Sequence, residues 1–214
     1  ASQPLDEKRK EKIAIFCNIP PERVISAPDV ESIYDVPANY EKDGMGDILC
    51  NILGLPPRDS DLRDWQKFVE ASKNGKTTLQ VAVVGKYFET GDFVLADSYI
   101  SVLEAIKAAG YSQDAKVKLS YLDSEEYEKD PKKLEDLKNY DGVVVPGGFG
   151  SRGVEGIVLA IQYARENKIP YFGLCYGMQW MVVEYARNVA GLQGANTAEV
   201  NHDAPHVVID IMPD

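Results

Sequence analysis

Residues Pro170 to Trp180 read Pro-Tyr-Phe-Gly-Leu-Cys-Tyr-Gly-Met-Gln-Trp, and they join a β-type run to a helical pattern at Cys175. Gly173 and Gly177 stand two residues away on either side of this cysteine. A nucleophile on a tight strand-to-helix turn needs such small neighbours, because the backbone is strained and closely packed there. The N-terminus of a following helix also favours a thiolate. The stretch therefore predicts a cysteine suited to covalent catalysis; the alternative is a buried apolar residue after a core strand.

A second motif, Asp141 to Gly156, places a buried strand before a glycine-rich loop that contains Gly147, Gly148 and Gly150. Such loops can turn backbone N–H groups outward and cradle an anion or an oxyanion, although ordinary tight turns use the same residues. The loop is not a P-loop, because no Gly-Lys-Ser/Thr follows its glycines.

From Leu79 onward, apolar strand-like runs alternate with helical patterns. Continuous apolar strands separated by helices predict an α/β fold with a parallel sheet covered on both faces. Loops then gather at the carboxyl ends of the strands, so the glycine-rich loop and Cys175 should lie side by side. The predicted strands are Leu79–Val84, Val117–Tyr121, Gly142–Val145, Ile169–Leu174 and Val207–Met212, and the predicted helices are Asp97–Ala109, Leu134–Lys138, Ile157–Glu166 and Gly177–Val189.

The first part of the chain has a mixed pattern. A charged helix start precedes an apolar, strand-like run within Lys12 to Asn18, and short helices are predicted at Asp47–Leu53, before Gly54, and at Trp65–Ala71. We divide the chain into residues 1–55, which resemble the tail of a domain that cannot bury a core alone, a linker at 56–76 and an α/β domain at 77–214.

Composition excludes several classes of function. The net charge of −11 argues against nucleic acid or an anionic membrane surface as the main partner. No apolar run approaches membrane-spanning length, and the first residues lack the apolar core of a signal peptide. The three cysteines are widely spaced, which suits reduced thiols rather than disulfides or a metal site. These features agree with a soluble cytoplasmic enzyme, although composition alone does not identify one.

The motifs Pro-Gly-Gly-Phe-Gly-x-Arg-Gly-x-Glu-Gly and Gly-x-Cys-x-Gly-Met-Gln resemble the glutaminase domain of the CTP synthase family, which belongs to the class I (triad-type) glutamine amidotransferases. Lys12–Asn18 with Val24–Pro37 resembles the end of the family's synthetase domain, and Ala186–Glu199 resembles the stretch after its nucleophile helix. The resemblance implies a three-layer, flavodoxin-like parallel sheet, preceded by the tail of a P-loop-type synthetase domain.

The same resemblance implies an activity. Family members aminate UTP to CTP with ATP, using ammonia from glutamine hydrolysis, and GTP activates them. Mg²⁺ is expected with ATP, but no metal ligands are expected in this chain and no cofactor is expected to be bound covalently. The complete protein is expected to be a homo-oligomer, a tetramer built through the synthetase domain.

We hypothesise that Cys175 attacks the glutamine side-chain amide, forms a γ-glutamyl thioester and releases ammonia. Backbone N–H groups of Gly148 and Tyr176 would hold the oxyanion. Glu199 could pair with the substrate's α-amino group, or it could be an exposed loop carboxylate. By resemblance, the glutamine-binding positions are Gly148, Tyr176, Gly177, Met178, Gln179 and Glu199. The family usually has leucine where this chain has Tyr176, so the shape of the pocket is expected to differ.

Two further assignments concern nucleotides. Lys12 matches a family lysine that meets the pyrimidine nucleotide phosphates, and Pro28, Asp29 and Val30 match backbone that borders the ATP adenine. The alternative for Lys12 is a lysine on a solvated helix face. The alternative for the second group is a segment at the edge of the fold with no binding role. Arg152 and Glu155 could sense GTP near the glutaminase site, or they could belong to an ordinary helix-entry loop. Nearby, Lys86 to Ser98 is longer than the usual family turn.

A cysteine of this kind also needs a general base and a carboxylate to orient it. The family supplies them as His-Pro-Glu far downstream, whereas the two histidines here, His202 and His206, stand in no such motif and are predicted to be surface residues. We therefore expect a segment of a longer protein, poorly active alone. Two alternatives stay open: another cysteine hydrolase of the same fold, such as a different amidotransferase or a γ-glutamyl hydrolase, and an inert assembly or regulatory module.

Overall fold

The computed structural model describes residues 3–57, 59–86, 89–90, 93–94 and 99–212. It falls into two units, Ala1–Lys73 and Asn74–Asp214. Much of the segment Lys86 to Ser98, including the predicted helix start at Asp97, lies outside the described residues.

The first unit is helical. The strand-like run predicted within Lys12 to Asn18 was wrong, because helix α1 continues through it until Asn18 adopts the left-handed conformation, with φ of 51°. The predicted helix before Gly54 is confirmed, and that glycine ends it with φ of 64°. In its described residues the helices are α1 (Glu7–Cys17), α2 (Val36–Lys42), α3 (Met45–Leu53) and α4 (Arg63–Asn74), with 3₁₀ turns at Pro21–Arg23 and Ile33–Asp35.

Little of the first unit is buried. Among its described residues, the buried ones are Ala14, Val24, Ser26 and Val69. Large apolar side chains such as Phe16 are exposed. The unit therefore buries little apolar surface within itself.

A four-stranded parallel sheet forms the centre of the second unit. Its order is β4-β1-β5-β6, and the register pairs Val83 of β1 with Tyr121 of β4 and Val144 of β5. The strands are β1 (Thr77–Gly85), β4 (Ala115–Asp123), β5 (Gly142–Val145) and β6 (Tyr171–Gly173). Two short pairs lie outside this sheet: β2 (Glu89–Thr90) with β3 (Phe93–Val94), antiparallel, and β7 (Ala195–Thr197) with β8 (His206–Ile209), parallel.

Helices cover both faces of the sheet, which confirms the predicted three layers. The alternation of side chains along β1 sends Ala82 and Val84 into a core with α6 to α8, and Val83 into a smaller core with α5. The helices are α5 (Ile100–Tyr111), α6 (Ser124–Lys129), α7 (Val154–Glu166) and α8 (Tyr176–Asn188), with a 3₁₀ helix at Pro131–Asn139.

The main departures from the predicted elements lie at the periphery. The predicted last strand forms as β8, but it pairs with β7 instead of joining the main sheet. Helix α7 begins at Val154, three residues before the predicted start. Helices α7 and α8 are joined by Arg165, whose guanidinium donates to the buried Glu184 carboxylate at 2.8 Å. Within the described ranges, no helix combines the length and apolarity that crossing a bilayer requires.

Candidate active site

Cys175 lies at the sharp turn between β6 and α8, where its backbone has φ of 51° and ψ of −101°. A positive φ is costly for any residue with a Cβ, and such strain concentrates at functional sites. The side chain is exposed, which contradicts the alternative of a buried apolar residue, and the predicted strand-to-helix turn is confirmed. The turn presents the thiol to solvent at the N-terminus of a helix.

Both flanking glycines are required by close packing. A Cβ atom at position 177 would lie 2.2 Å from the Val145 carbonyl oxygen, and one at position 173 would lie 2.6 Å from backbone atoms of Gly177. The N–H of Leu174 donates to the same Val145 oxygen at 2.9 Å. The turn is therefore fastened to the end of β5.

Tyr171 supports the turn from inside the protein. Its hydroxyl donates to the Gly177 carbonyl oxygen at 2.8 Å. Burial raises the pKa of the Tyr171 phenol further above its already basic ordinary value, and the protonated hydroxyl is a hydrogen-bond donor at neutral pH. The first turn of α8 is thereby held by a side chain from β6.

The glycine-rich loop lies beside the cysteine, as predicted. It follows β5, and a Cβ atom at Gly147 would lie 3.9 Å from the Cys175 Cβ atom. A Cβ atom at Gly148 would lie 3.4 Å from the Tyr176 ring. Tyr176 is also the first residue of α8, where backbone N–H groups have no carbonyl of their own helix to bond. The two proposed oxyanion donors thus belong to adjoining segments.

Lys86 is a member of the site that the sequence reasoning missed. It is 4% exposed, follows the end of β1, and donates to the carbonyl oxygens of Phe149 and Gly150, the latter at 3.0 Å. Burial lowers the pKa of the Lys86 ammonium and Arg152 lowers it further, whereas Glu199 opposes the change. Its position directly after a central strand, where functional loops gather, was the one signal in the sequence.

Glu199 touches the glycine-rich loop. Its carboxylate accepts the Gly150 N–H at 2.7 Å while the side chain stays exposed. The pairing of Ala198 N–H with the Ile209 oxygen at 2.8 Å ties this residue to β8. Glu199 is therefore an exposed carboxylate that contacts the predicted glycine-rich loop.

The remaining predicted glutamine contacts lie on the first turn of α8. Tyr176 and Gly177 are buried, Gln179 is half-buried and Met178 is exposed. Tyr176 places its ring edge-on against Trp180, with centroids 5.6 Å apart, and its hydroxyl donates to the Gly150 oxygen. The aromatic side chain thus fills space beneath the loop, and its backbone stays at the turn.

Arg152 and Glu155 are both engaged at the entry to α7. Arg152 donates to the Lys86 carbonyl oxygen and lies 2.9 Å from the Glu125 carboxylate. Glu155 pairs with Arg187 at 2.8 Å. These contacts give both residues a local structural role. They do not test the hypothesis that the two residues sense GTP.

The two histidines lie on the surface, as predicted. His202 is exposed in a turn, and His206 is exposed at the start of β8. Neither placement identifies a general base for Cys175.

The predicted nucleotide contacts lie in the first unit. Lys12 is exposed on α1, whereas Pro28, Asp29 and Val30 lie in an irregular segment between the two 3₁₀ turns. In the described part of the chain, no group of three or more His, Cys, Asp or Glu side chains could hold a metal ion.

Comparison with protein families divides the chain in two. The family model described as "Glutamine amidotransferase class-I" matches residues 94–211, and the model described as "CTP synthase N-terminus" matches residues 1–55. The first match contains Cys175, at the strand-to-helix turn, and the glycine-rich loop.

Known proteins resemble the chain along its length. It is 46% identical over 214 residues to CTP synthase of Thermococcus kodakarensis and 48% identical over 214 residues to that of Carboxydothermus hydrogenoformans, and it covers 39% of each. A solved structure, the Trypanosoma brucei CTPS glutaminase domain with bound acivicin, is 41% identical with a TM-score of 0.58, over 63% of this chain and 50% of that one. The chain therefore belongs to the class-I glutamine amidotransferase family, and it resembles CTP synthases over its whole length.

Proposed function

We propose that these residues belong to an ATP-dependent ligase that aminates UTP to CTP with ammonia from glutamine, and that Cys175 is the nucleophile. One observation carries the proposal: an exposed cysteine with φ of 51° at the start of α8, beside a glycine-rich loop. Similarity to CTP synthases supports the overall reaction, although the chain spans only about 39% of those relatives.

The first half of the reaction is acyl transfer to sulfur. The Cys175 Sγ attacks the amide carbon of glutamine, and the carbonyl electron pair moves onto oxygen. The N–H groups of Gly148 and Tyr176 stabilise this oxyanion, each by about 3 kcal/mol. The carbonyl re-forms as the C–N bond breaks, which leaves a γ-glutamyl thioester, and the nitrogen takes the proton given up by the Cys175 thiol and leaves as ammonia. Water then hydrolyses the thioester to glutamate and restores the thiol.

Glu199 is proposed to hold the α-ammonium group of the substrate. It is exposed, and its carboxylate already lies at the loop through the 2.7 Å contact with the Gly150 N–H. A carboxylate–ammonium bond is charge-assisted and stronger than a neutral one. Gly177, Met178 and Gln179, on the first turn of α8, are proposed to line the rest of the pocket.

The second half of the reaction uses nucleotides. ATP phosphorylates the uracil 4-oxygen of UTP, and ammonia displaces that phosphate. Lys12 is proposed to contact nucleotide phosphates, and Pro28, Asp29 and Val30 to border the adenine. Mg²⁺ would accompany ATP, and the described residues contain no group of three or more side chains that could hold it. The cytoplasmic location and the homotetramer stay predictions.

Covalent labelling tests the nucleophile directly. We expect an electrophilic glutamine analogue such as acivicin to modify Cys175 in the full-length protein at a rate that saturates with analogue concentration, and excess glutamine to protect. Cys17 is the internal control, because it is an exposed cysteine in the first unit. Peptide mapping by mass spectrometry measures both sites. An inert Cys175 would favour a regulatory module, and a labelled protein without CTP formation would favour another cysteine hydrolase.

GTP is proposed as the activator, sensed by Arg152 and Glu155. We expect Arg152→Ala in the full-length protein to lower the ratio of glutamine-dependent rates with and without GTP by about tenfold, since a lost charge-assisted hydrogen bond costs roughly 1.5 kcal/mol. Arg63→Ala, an exposed arginine of the first unit, is the matched control. An unchanged ratio in Arg152→Ala would assign this arginine to the contacts of the loop alone.

A further inference from the structure

The peptide group between Phe149 and Gly150 is held from both sides. Its carbonyl oxygen accepts from the Lys86 ammonium, and its N–H donates to the Glu199 carboxylate at 2.7 Å. The C=O and N–H of a trans peptide point in opposite directions, so the peptide dipole lies between a cation and an anion. Gly150 has φ of 75°, a conformation that glycine adopts without strain. The end of the glycine-rich loop is therefore fixed in orientation.

Tyr176 holds the same loop one carbonyl further on. Its hydroxyl donates to the Gly150 oxygen and accepts from Lys86 at 3.2 Å. The residue is 2% exposed and its ring is packed against the fully buried Trp180, so the hydroxyl moves with helix α8. Helix α8, which begins beside Cys175, thus also binds the glycine-rich loop through the Tyr176 hydroxyl.

Lys86 completes the arrangement. An ammonium group has three N–H donors, and Lys86 directs hydrogen bonds to three acceptors, the oxygens of Phe149 and Gly150 and the Tyr176 hydroxyl. Its ammonium also lies 4.5 Å from the centre of the Tyr176 ring. A buried cation with satisfied donors gives the loop one preferred geometry, because any shift would leave a buried charge poorly bonded.

We propose that Tyr176 and Lys86 are positioning residues for the oxyanion: they lock the glycine-rich loop to helix α8, so that the donors at Gly148 and at Tyr176 keep one fixed separation. This inference rests on the proposed glutaminase function. Oxyanion donors work only when they lie about 2.7–3.1 Å from the developing charge. A more mobile loop therefore lowers the catalytic rate before it weakens substrate binding.

The test is Tyr176→Phe in the full-length protein, which removes the hydroxyl and keeps the ring. We expect kcat for glutamine hydrolysis to fall about ten- to a hundredfold, since a misplacement of about 1 Å can cost that much, with KM changed less than about threefold. Alkylation of Cys175 by iodoacetamide should proceed at the original rate, because displacement at its methylene carbon builds no oxyanion.

Tyr163→Phe is the matched control. Within the described part of the chain, the buried Tyr163 hydroxyl has no hydrogen-bond partner, so its loss should change neither the hydrolysis nor the alkylation rate. An unchanged kcat in Tyr176→Phe would overturn the positioning role, and so would a parallel fall in alkylation, which indicates a general disturbance of the turn. If glutamine is not hydrolysed and Cys175 is not alkylated even in the unaltered protein, the proposed function itself fails.

Discussion

Replacing Cys175 with serine in the full-length protein is expected to abolish CTP formation from glutamine and to leave formation from ammonium salts nearly intact. A serine hydroxyl at this turn would be a much weaker nucleophile than a thiolate, so the glutamine-dependent rate should fall by at least about a thousandfold. Ammonia supplied from solution bypasses this step. The two rates are measured by the absorbance change as UTP becomes CTP.

Cys50→Ser is the matched control for this substitution. Cys50 is half-buried in α3 of the first unit, and the proposed mechanism gives it no role. Both rates should survive in that variant. A joint loss of the two rates in Cys175→Ser would show that the thiol supports the structure instead of attacking the amide.

Gly177→Ala is expected to have a large effect on stability. The new methyl carbon would lie 2.2 Å from the Val145 carbonyl oxygen and 2.9 Å from the Val145 Cβ atom, closer than any real contact of that kind. Because α8 begins there and β5 is a strand of the central sheet, neither can move away cheaply. We expect a cost of about 3 kcal/mol in the free energy of unfolding, seen as a lower midpoint of thermal unfolding, and loss of glutamine hydrolysis as Cys175 is displaced.

Gly142→Ala separates this clash from the general effect of adding a methyl group. Gly142 begins the same strand β5, but a Cβ atom there would lie 3.5 Å from its nearest neighbour, an ordinary contact. Its thermal midpoint and its activity should stay close to those of the unaltered protein. If both variants unfolded at the same temperature, close approach of the backbone at this turn would not explain why position 177 is a glycine.

The centre of the fold could be predicted from sequence because its signals are local. The run Gly142–Val145 forms strand β5 with the predicted bounds, and helix α8 begins within one residue of the predicted Gly177. The meeting of Cys175 with the glycine-rich loop followed from a rule of topology, since both follow neighbouring parallel strands. Local pattern and topology together were enough to predict the strand-to-helix turn at Cys175 and its position beside the loop.

The periphery could not be predicted, for two physical reasons. A short apolar run such as Ile13 to Phe16 suits a strand or a helix equally, and the helix α1 was decided by its capping by Asp6 and Asn18. Strand β7 has three residues, too few to show any period, so its pairing with β8 away from the main sheet left no sign in the sequence.

Lys86, and the contacts that the Tyr176 hydroxyl makes, were missed because these contacts are long-range. Lys86 and Tyr176 are 90 residues apart in the chain, and nothing near either of them indicates the other. A lysine after a strand is usually solvated, and its burial appears only when β1, the loop and α8 come together. Patterns in one sequence thus identify a candidate nucleophile more readily than the residues proposed to position the loop beside it.

The length of helix α8 fixes the distance between Cys175 at its start and Arg187 in its last turn. The helix begins beside Cys175, and thirteen residues make it about 20 Å long. In its last turn the Arg187 guanidinium grips the Ala195 carbonyl at 2.7 Å, at the start of the strand that leads to Glu199. One inserted residue would rotate that arginine by about 100° around the helix axis and break its hydrogen bond to the Ala195 carbonyl. Natural variation along this helix should therefore exchange side chains freely on its outer side while preserving the residue count.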